Sequence, residues 1–211
     1  MITETMTIHQ ALIELKTLDK RIESKIKDGC FVRANKHSNT KIDGMTVREY
    51  GDETLSLYNS IMDLISRRFA IRNALAKSNS ETMISVAGKS YTISTAIEMK
   101  QHGMKLKARL LAEITSQLSA ARAAVDANNE RLDRNADDYI VRLYGAKDKG
   151  NADEISSARE AYVKANTYDL IDPLNAMRTI DALKSEIDSF TDAVDSAIAV
   201  SNATTVIEIN Y

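Results

Sequence analysis

Apolar positions recur at spacings of three and four along most of this chain, the period of amphipathic helices. Ile8, Leu12, Leu15, Leu18, Ile22 and Ile26 put one apolar face on a first helix over about Thr7 to Lys27. Thr7 is its expected N-cap, with Gln10 three residues on to complete a capping box, and Asp28-Gly29 stops it. Residues 29–45 read as an irregular or extended link with a turn at Gly44. A second helix follows from Val47 or Asp52 to about Lys77, with Leu55, Tyr58, Met62, Ile65, Phe69 and Leu75 as its stripe. The period then drops to two. Thr82–Val86 and Tyr91-Thr92-Ile93 flank Ala87-Gly88-Lys89-Ser90, which reads as a small hairpin that needs support from helices or another strand.

A third helix is expected from near Ser94 to about Tyr144. Met104, Leu111, Leu118, Val125, Leu132 and Tyr139 fall at every seventh position, with Lys107, Ile114, Ala121, Asn128 and Asn135 as companions. Asn128 and Asn135 either fix the register of a buried seam or lie on a solvated distal segment. After a loop at 145–151, a short helix over about Ala152 to Lys164 returns. Thr167–Ile171 looks extended. Asp172-Pro173 reads as an N-cap followed by the first helical residue. The last helix then runs to about Val200 with Leu183, Ile187, Phe190, Val194 and Ala197 on one face. The expected fold is mainly α: an antiparallel helical bundle or coiled coil with a small β-hairpin or mini-sheet at one end. It is read as a single helical domain over 1–211, with a projecting arm at about 126–165.

One pattern occurs twice. Ser78-Asn79-Ser80-Glu81-Thr82-Met83-Ile84-Ser85-Val86 returns as Ser201-Asn202-Ala203-Thr204-Thr205-Val206-Ile207-Glu208-Ile209. Each copy stands where a helix gives way to a strand, so the two junctions are expected to meet in space, with Thr204–Ile209 as candidate partner of the hairpin. Each Ser-Asn is expected to end its helix, because short polar side chains compete for backbone bonds.

Composition fits long helices: one Pro, seven Gly and 5% aromatic residues leave few breakers and little sheet-forming bulk. Cys30 is the only cysteine, which suits a reducing compartment. Met1–Thr5 carries no basic region ahead of an apolar stretch, and no run reaches the roughly 18 apolar residues of a spanning helix. A cytoplasmic protein without membrane partners is expected. His9, His37 and His102 lack metal-ligand spacing, so neither a metal nor another cofactor is implied. Gly88-Lys89-Ser90 imitates the end of a phosphate-binding loop, but Met83 stands where that motif needs glycine and an extended run follows. No nucleophile–base constellation is visible, so no enzyme and no catalytic residue is expected.

Net charge is −2, yet it is unevenly spread. Residues 64–112 carry nine Lys and Arg against two acids, while residues 113–211 carry ten against eighteen. Antiparallel helices around the hairpin would gather the cations at one end. Arg67, Arg68, Arg72, Lys100, Lys105 and Lys107, with Tyr91 or Tyr50 as a stacking surface, are the candidate ligand-binding residues for a small anion of nucleotide size. The competing reading is a solvated basic face that pairs with the acidic C-terminal half. Duplex nucleic acid is not expected, since no DNA-binding motif accompanies the charge.

The order of features resembles a poorly characterised bacterial and phage family often labelled septicolysin-like. The resemblance lies in Ala11-Leu12-Ile13-Glu14-Leu15-Lys16-Thr17-Leu18-Asp19-Lys20-Arg21-Ile22, the Ser78-Asn79-x-x-Thr82 junction with Gly88 and the helix start after Ile93, and the closing part from Thr167-Tyr168-Asp169 through Ile187-Asp188 to Ser201-Asn202. It covers about two thirds of the chain, and residues 126–165 stand as extra length. It implies a helical fold and a phage or prophage origin, with no catalytic residues to carry over. The family label suggests a cytolysin, but this chain has no spanning stretch or long amphipathic hairpin that would make a pore.

Function is therefore expected to be non-catalytic. The chain is read as a homo-oligomer, assembled through the Met104–Tyr139 or Leu183–Ala197 seam, that binds or sequesters a nucleotide-like anion, as an anti-defence protein of a phage would. The alternative is a structural or virion-assembly protein, or an adaptor that blocks a host protein.

Overall fold

The computed structural model describes residues 2–145 and 151–211. It is mainly helical, with three two-stranded antiparallel sheets among the described residues. The chain divides into two compact units, Met1–Lys100 with Phe190–Tyr211, and Gln101–Ser189.

The first unit opens with β1 (Thr3–Thr7) and α1 (Ile8–Asp28). Thr7 caps α1 as its sequence predicts: the hydroxyl accepts from Gln10 N–H at 3.2 Å, and the Gln10 side chain accepts from Thr7 N–H at 2.9 Å. A link with a two-residue hairpin, β2 (Lys41–Ile42) and β3 (Met45–Thr46), leads into α2 (Val47–Glu81). Thr46 and Glu49 form a second capping box. Helices α1 and α2 run antiparallel and bury Ala11, Leu15, Leu18 and Ile22 against Ile61, Ile71 and Leu75.

Next come β4 (Met83–Val86), β5 (Lys89–Thr92) and α3 (Ile93–Glu98). The turn between the strands is Ala87-Gly88, both with positive φ (51° and 76°), the geometry that matches strand twist in tight hairpins. Lys89 and Ser90 lie in a strand, so the fragment that imitates a phosphate-binding loop opens no helix. The helix expected from Ser94 to Tyr144 is interrupted. A π-helical turn, Met99–Gly103, separates α3 from the helix that follows, and it ends at glycine, a poor helix former.

In the second unit, α4 (Met104–Tyr144) and α5 (Ala152–Asn166) form an antiparallel pair. Arg159 bridges Asp133 and Asp137, both at 3.0 Å, and Tyr139 stacks on Tyr162. The seven-residue seam is the buried edge of α4: Met104, Leu118 and Leu132 are buried, Leu111 and Val125 half-buried. Asn128 donates to its own helix at Ala124 and Asn135 is exposed, so neither locks a buried register. Residues 167–171 form no strand; Tyr168 is tied to Asn129 by reciprocal 2.9 Å bonds. Pro173 is not the first helical residue. It sits in a turn, Asn175 is left-handed (φ 49°), and the Asp172 carboxylate reaches over both to cap Ala176 N–H at the start of α6 (Ala176–Thr204).

The C-terminal strand β6 (Val206–Asn210) corrects one expectation. It pairs with β1, from Thr3↔Asn210 to Thr7↔Val206, and not with the hairpin strand β4. β4 is satisfied by β5 through the tight turn, whereas β1 stands beside the core and β6 brings Ile207 and Ile209 onto it. A second expectation also fails. Asn79 and Asn202 do not end their helices; α2 continues to Glu81 and α6 to Thr204. The stop is the threonine that follows. Thr82 turns to extended backbone and Thr205 leaves the helix, while their N–H groups still donate to the Ser78 and Ser201 carbonyls, at 2.8 Å in both copies.

The recurrence extends past the motif. The hydroxyls of Ser78 and Thr82, and those of Ser201 and Thr205, are 3.3 Å apart. Ile93 N–H donates to Thr82 at 3.1 Å, as Ile8 N–H does to Thr205 at 3.0 Å. Met83 pairs with Thr92 as Val206 pairs with Thr7, and Thr92 and Thr7 both cap the next helix. The first unit is thus built from two copies of one helix–strand–strand–helix device, and one copy is assembled from the two ends of the chain.

Candidate functional site

The two copies share a cavity of about 530 Å³. Equivalent residues come to it from both: Ile8 and Ile93, Leu12 and Ile97, Asn79 and Asn202, Leu75 and Ile198. Helix α2 adds Arg68, Phe69, Arg72, Asn73 and Ala76. The sequence dictates this lining. Ile8 and Ile93 are the first residues after the capping threonines, and each is 1% exposed. Asn79 and Asn202 fall two residues before their helices end, on the face that the repeat directs to the same place. A size of several hundred Å³ with mostly apolar walls and a few convergent polar groups is the usual form of a small-molecule site.

The cations expected from the sequence fare differently. Arg67 is a clamp. It bonds Glu4 at 2.8 Å and Glu14 at 2.5 Å, donates to the Tyr211 hydroxyl, and lies over the Tyr211 ring at 4.7 Å. Those partners hold its guanidinium pKa above the ordinary value, and the Arg67 hydrogen bond, aided by Tyr211, holds the Glu4 carboxyl below its ordinary range. Arg68 reaches the cavity but bonds Asp19, whose pKa it lowers. Arg72, one helical turn on, lines the same cavity and has no ion-pair partner within 4.0 Å among the described residues. Lys100 is paired with Asp195 at 2.5 Å. Tyr91 makes a T-shaped contact with Phe190, ring centres 5.6 Å apart, and does not line the cavity. Tyr50 donates to the Cys30 carbonyl at 3.2 Å, and burial raises its pKa. In the second unit, Lys107 bonds Glu186 at 2.6 Å and Lys105 is exposed.

The structure therefore brings together Arg68 and Arg72 of the expected set and adds Asn73, Asn79 and Asn202. The asparagines were visible in the sequence as a repeat, but a capping role was read into them. Neither carboxamide makes a hydrogen bond among the described residues, although the serine and threonine of each motif do. Among the described residues no carboxylate, imidazole, thiol or hydroxyl side chain lines the cavity.

A second groove, about 760 Å³, runs between β4 and the end of α6 and is lined by Thr82, Ser85, Asp192, Ser196, Ser201 and Thr204 among others. It holds hydroxyls and one acid but no cation. Among the described residues no group of three His, Cys, Asp or Glu could hold a metal ion, and no helix is long and apolar enough to cross a membrane. No protein-family model, curated protein or solved structure matches the chain.

Proposed function

We propose that this protein is a non-catalytic binding protein that holds a small, nucleotide-like anion in the cavity shared by the two copies of the repeat. The observation that supports this reading is the lining of a half-open groove: an exposed arginine with no ion-pair partner within 4.0 Å among the described residues, though its charge is felt by Asp19, and two half-buried carboxamides beside apolar walls. Arg72 supplies a fork of donors for phosphate oxygens, and the isoleucine walls and Phe69 suit a flat apolar moiety. The cavity offers no group to act as nucleophile or general base, which favours retention over turnover. A phage or prophage source, a cytoplasmic setting and membership of the septicolysin-like family belong to the same proposal, since sequestration of a host nucleotide would suit them.

Calorimetry against mononucleotides and cyclic dinucleotides tests it. Wild type is expected to bind at least one with unchanged ligand recovered, and Arg72→Glu to weaken that binding at least tenfold, about 1.4 kcal/mol. No binding by wild type, or binding indifferent to Arg72→Glu, overturns the reading.

Self-association is the other part of the proposal. The seams expected to join subunits are largely consumed within the chain, where Met104, Leu118, Leu132, Phe190 and Val194 are buried. An apolar stripe left in the open on α2, apart from the cavity, is Leu55, Tyr58 and Met62, all more than 40% exposed. A second copy laid antiparallel would cover the stripe and leave Phe69 and Arg72 to the cavity. Met62→Glu is expected to turn a dimer into a monomer in sedimentation velocity. A wild-type monomer at high concentration, or a dimer that survives the change, removes this part.

A further inference from the structure

Asparagine in helix interior costs about half a kcal/mol relative to alanine, because its amide competes for backbone bonds. This chain puts it twice at the same place, two residues before the end of α2 and of α6, where the threonine after each helix already performs the stop. Neither side chain repays that cost within the protein. Both are half-buried, both line the shared cavity, and neither has a hydrogen-bond partner among the described residues. The neighbouring serine and threonine hydroxyls of each motif bond each other. Both carboxamides remain open to the cavity, so their donors and acceptors are available to whatever enters it.

A primary carboxamide presents a carbonyl acceptor and an NH2 donor side by side. Two of them at one cavity offer paired donors and acceptors, the complement of a nucleobase edge. Ile8, Ile93, Leu12 and Ile97 supply apolar walls for the faces of a ring. Arg72 stands at the same cavity to take an anionic group. We infer that Asn79 and Asn202 read the hydrogen-bonding edge of a nucleobase, so that the ligand is a base-bearing nucleotide rather than a sugar phosphate or a simple anion. This rests on the binding function proposed above and specifies what the pocket recognises.

The experiment compares the four ribonucleoside monophosphates with ribose 5-phosphate and inorganic phosphate by calorimetry, for wild type, Asn79→Ala, Asn202→Ala and Arg72→Glu. At least one nucleotide is expected to bind tenfold or more tightly than ribose 5-phosphate. Each alanine variant should lose about tenfold and narrow the differences between bases. Thermal melts give an independent readout: since alanine is the better helix former, both asparagine variants should melt at or above the wild-type temperature while binding worse. A lower melting temperature with unchanged binding would make the asparagines structural. Nucleotide binding that Arg72→Glu abolishes and neither asparagine variant alters, or equal affinity for ribose 5-phosphate, overturns base reading and leaves the anion site standing. Absence of any binding, with cyclic dinucleotides added to the panel, removes both.

Discussion

Replacing Ile207 and Ile209 together by alanine is expected to unfold the unit that contains them. The two side chains are 5% and 1% exposed and sit in the same core as Ile8, Leu15, Ile71 and Leu75. Each large-to-small change at such a site costs about 2–5 kcal/mol, from lost burial and the cavity left behind. Two neighbouring cavities therefore remove roughly 4–10 kcal/mol from a total of only about 5–15 kcal/mol. Among the described residues the strand is also the sole partner of β1, so loosening it frays the entry to α1. Far-UV circular dichroism during a urea titration reads the effect. A midpoint within experimental error of wild type would mean that β6 is an ornament on a core that stands without it. A control in the opposite direction is Val206→Thr, at an exposed position of the same strand, which should change little.

The second large effect concerns Arg67. Arg67→Met keeps the aliphatic stem but strips Glu4, Glu14 and Tyr211 of their shared partner. The loss is expected to be about 2–3 kcal/mol, the range for charged hydrogen bonds broken in a partly enclosed place. The pH dependence follows from the lowered pKa of Glu4. A carboxyl whose folded pKa lies below its unfolded one stabilises the fold above the unfolded value, near pH 4.3, and stops doing so as pH falls through the folded value. Wild type should thus lose stability on acidification through that window. Arg67→Met should begin lower and lose less over the same range, so the two stability curves converge in acid. Parallel curves would show that the clamp does not set the titration of Glu4.

Much of the helical frame was legible because its signals are local. Thr7 with Gln10, and the three–four spacing from Ile8 to Ile26, fix α1 within a residue or so. The tight hairpin announced itself through Ala87-Gly88 between alternating runs. The pairing of β1 with β6 carried no such signal. Its partners are about 200 residues apart, and Thr3-Glu4-Thr5-Met6-Thr7 is too polar to read as a core strand. The stop one turn beyond Ser-Asn was missed because asparagine is a common helix terminator, whereas here the threonine after it turns the chain. The cation site was half legible. Counting charges located a basic stretch, but Arg67, Arg68, Lys100 and Lys107 are each met by a carboxylate from another segment, and such cross-chain pairing cannot be counted along a sequence.

The two copies of the helix–strand–strand–helix device give matched residues to their common cavity, but the arginines there come from one copy only. Nearly two turns before the motif, where α2 has Arg72, the corresponding position of α6 is Asp195, which is paired with Lys100 and stands outside the cavity lining. A chamber with like sides and a cation on one of them has a direction. A bound anion lies toward α2, so the polarity of a bound molecule is decided by what the two halves do not share.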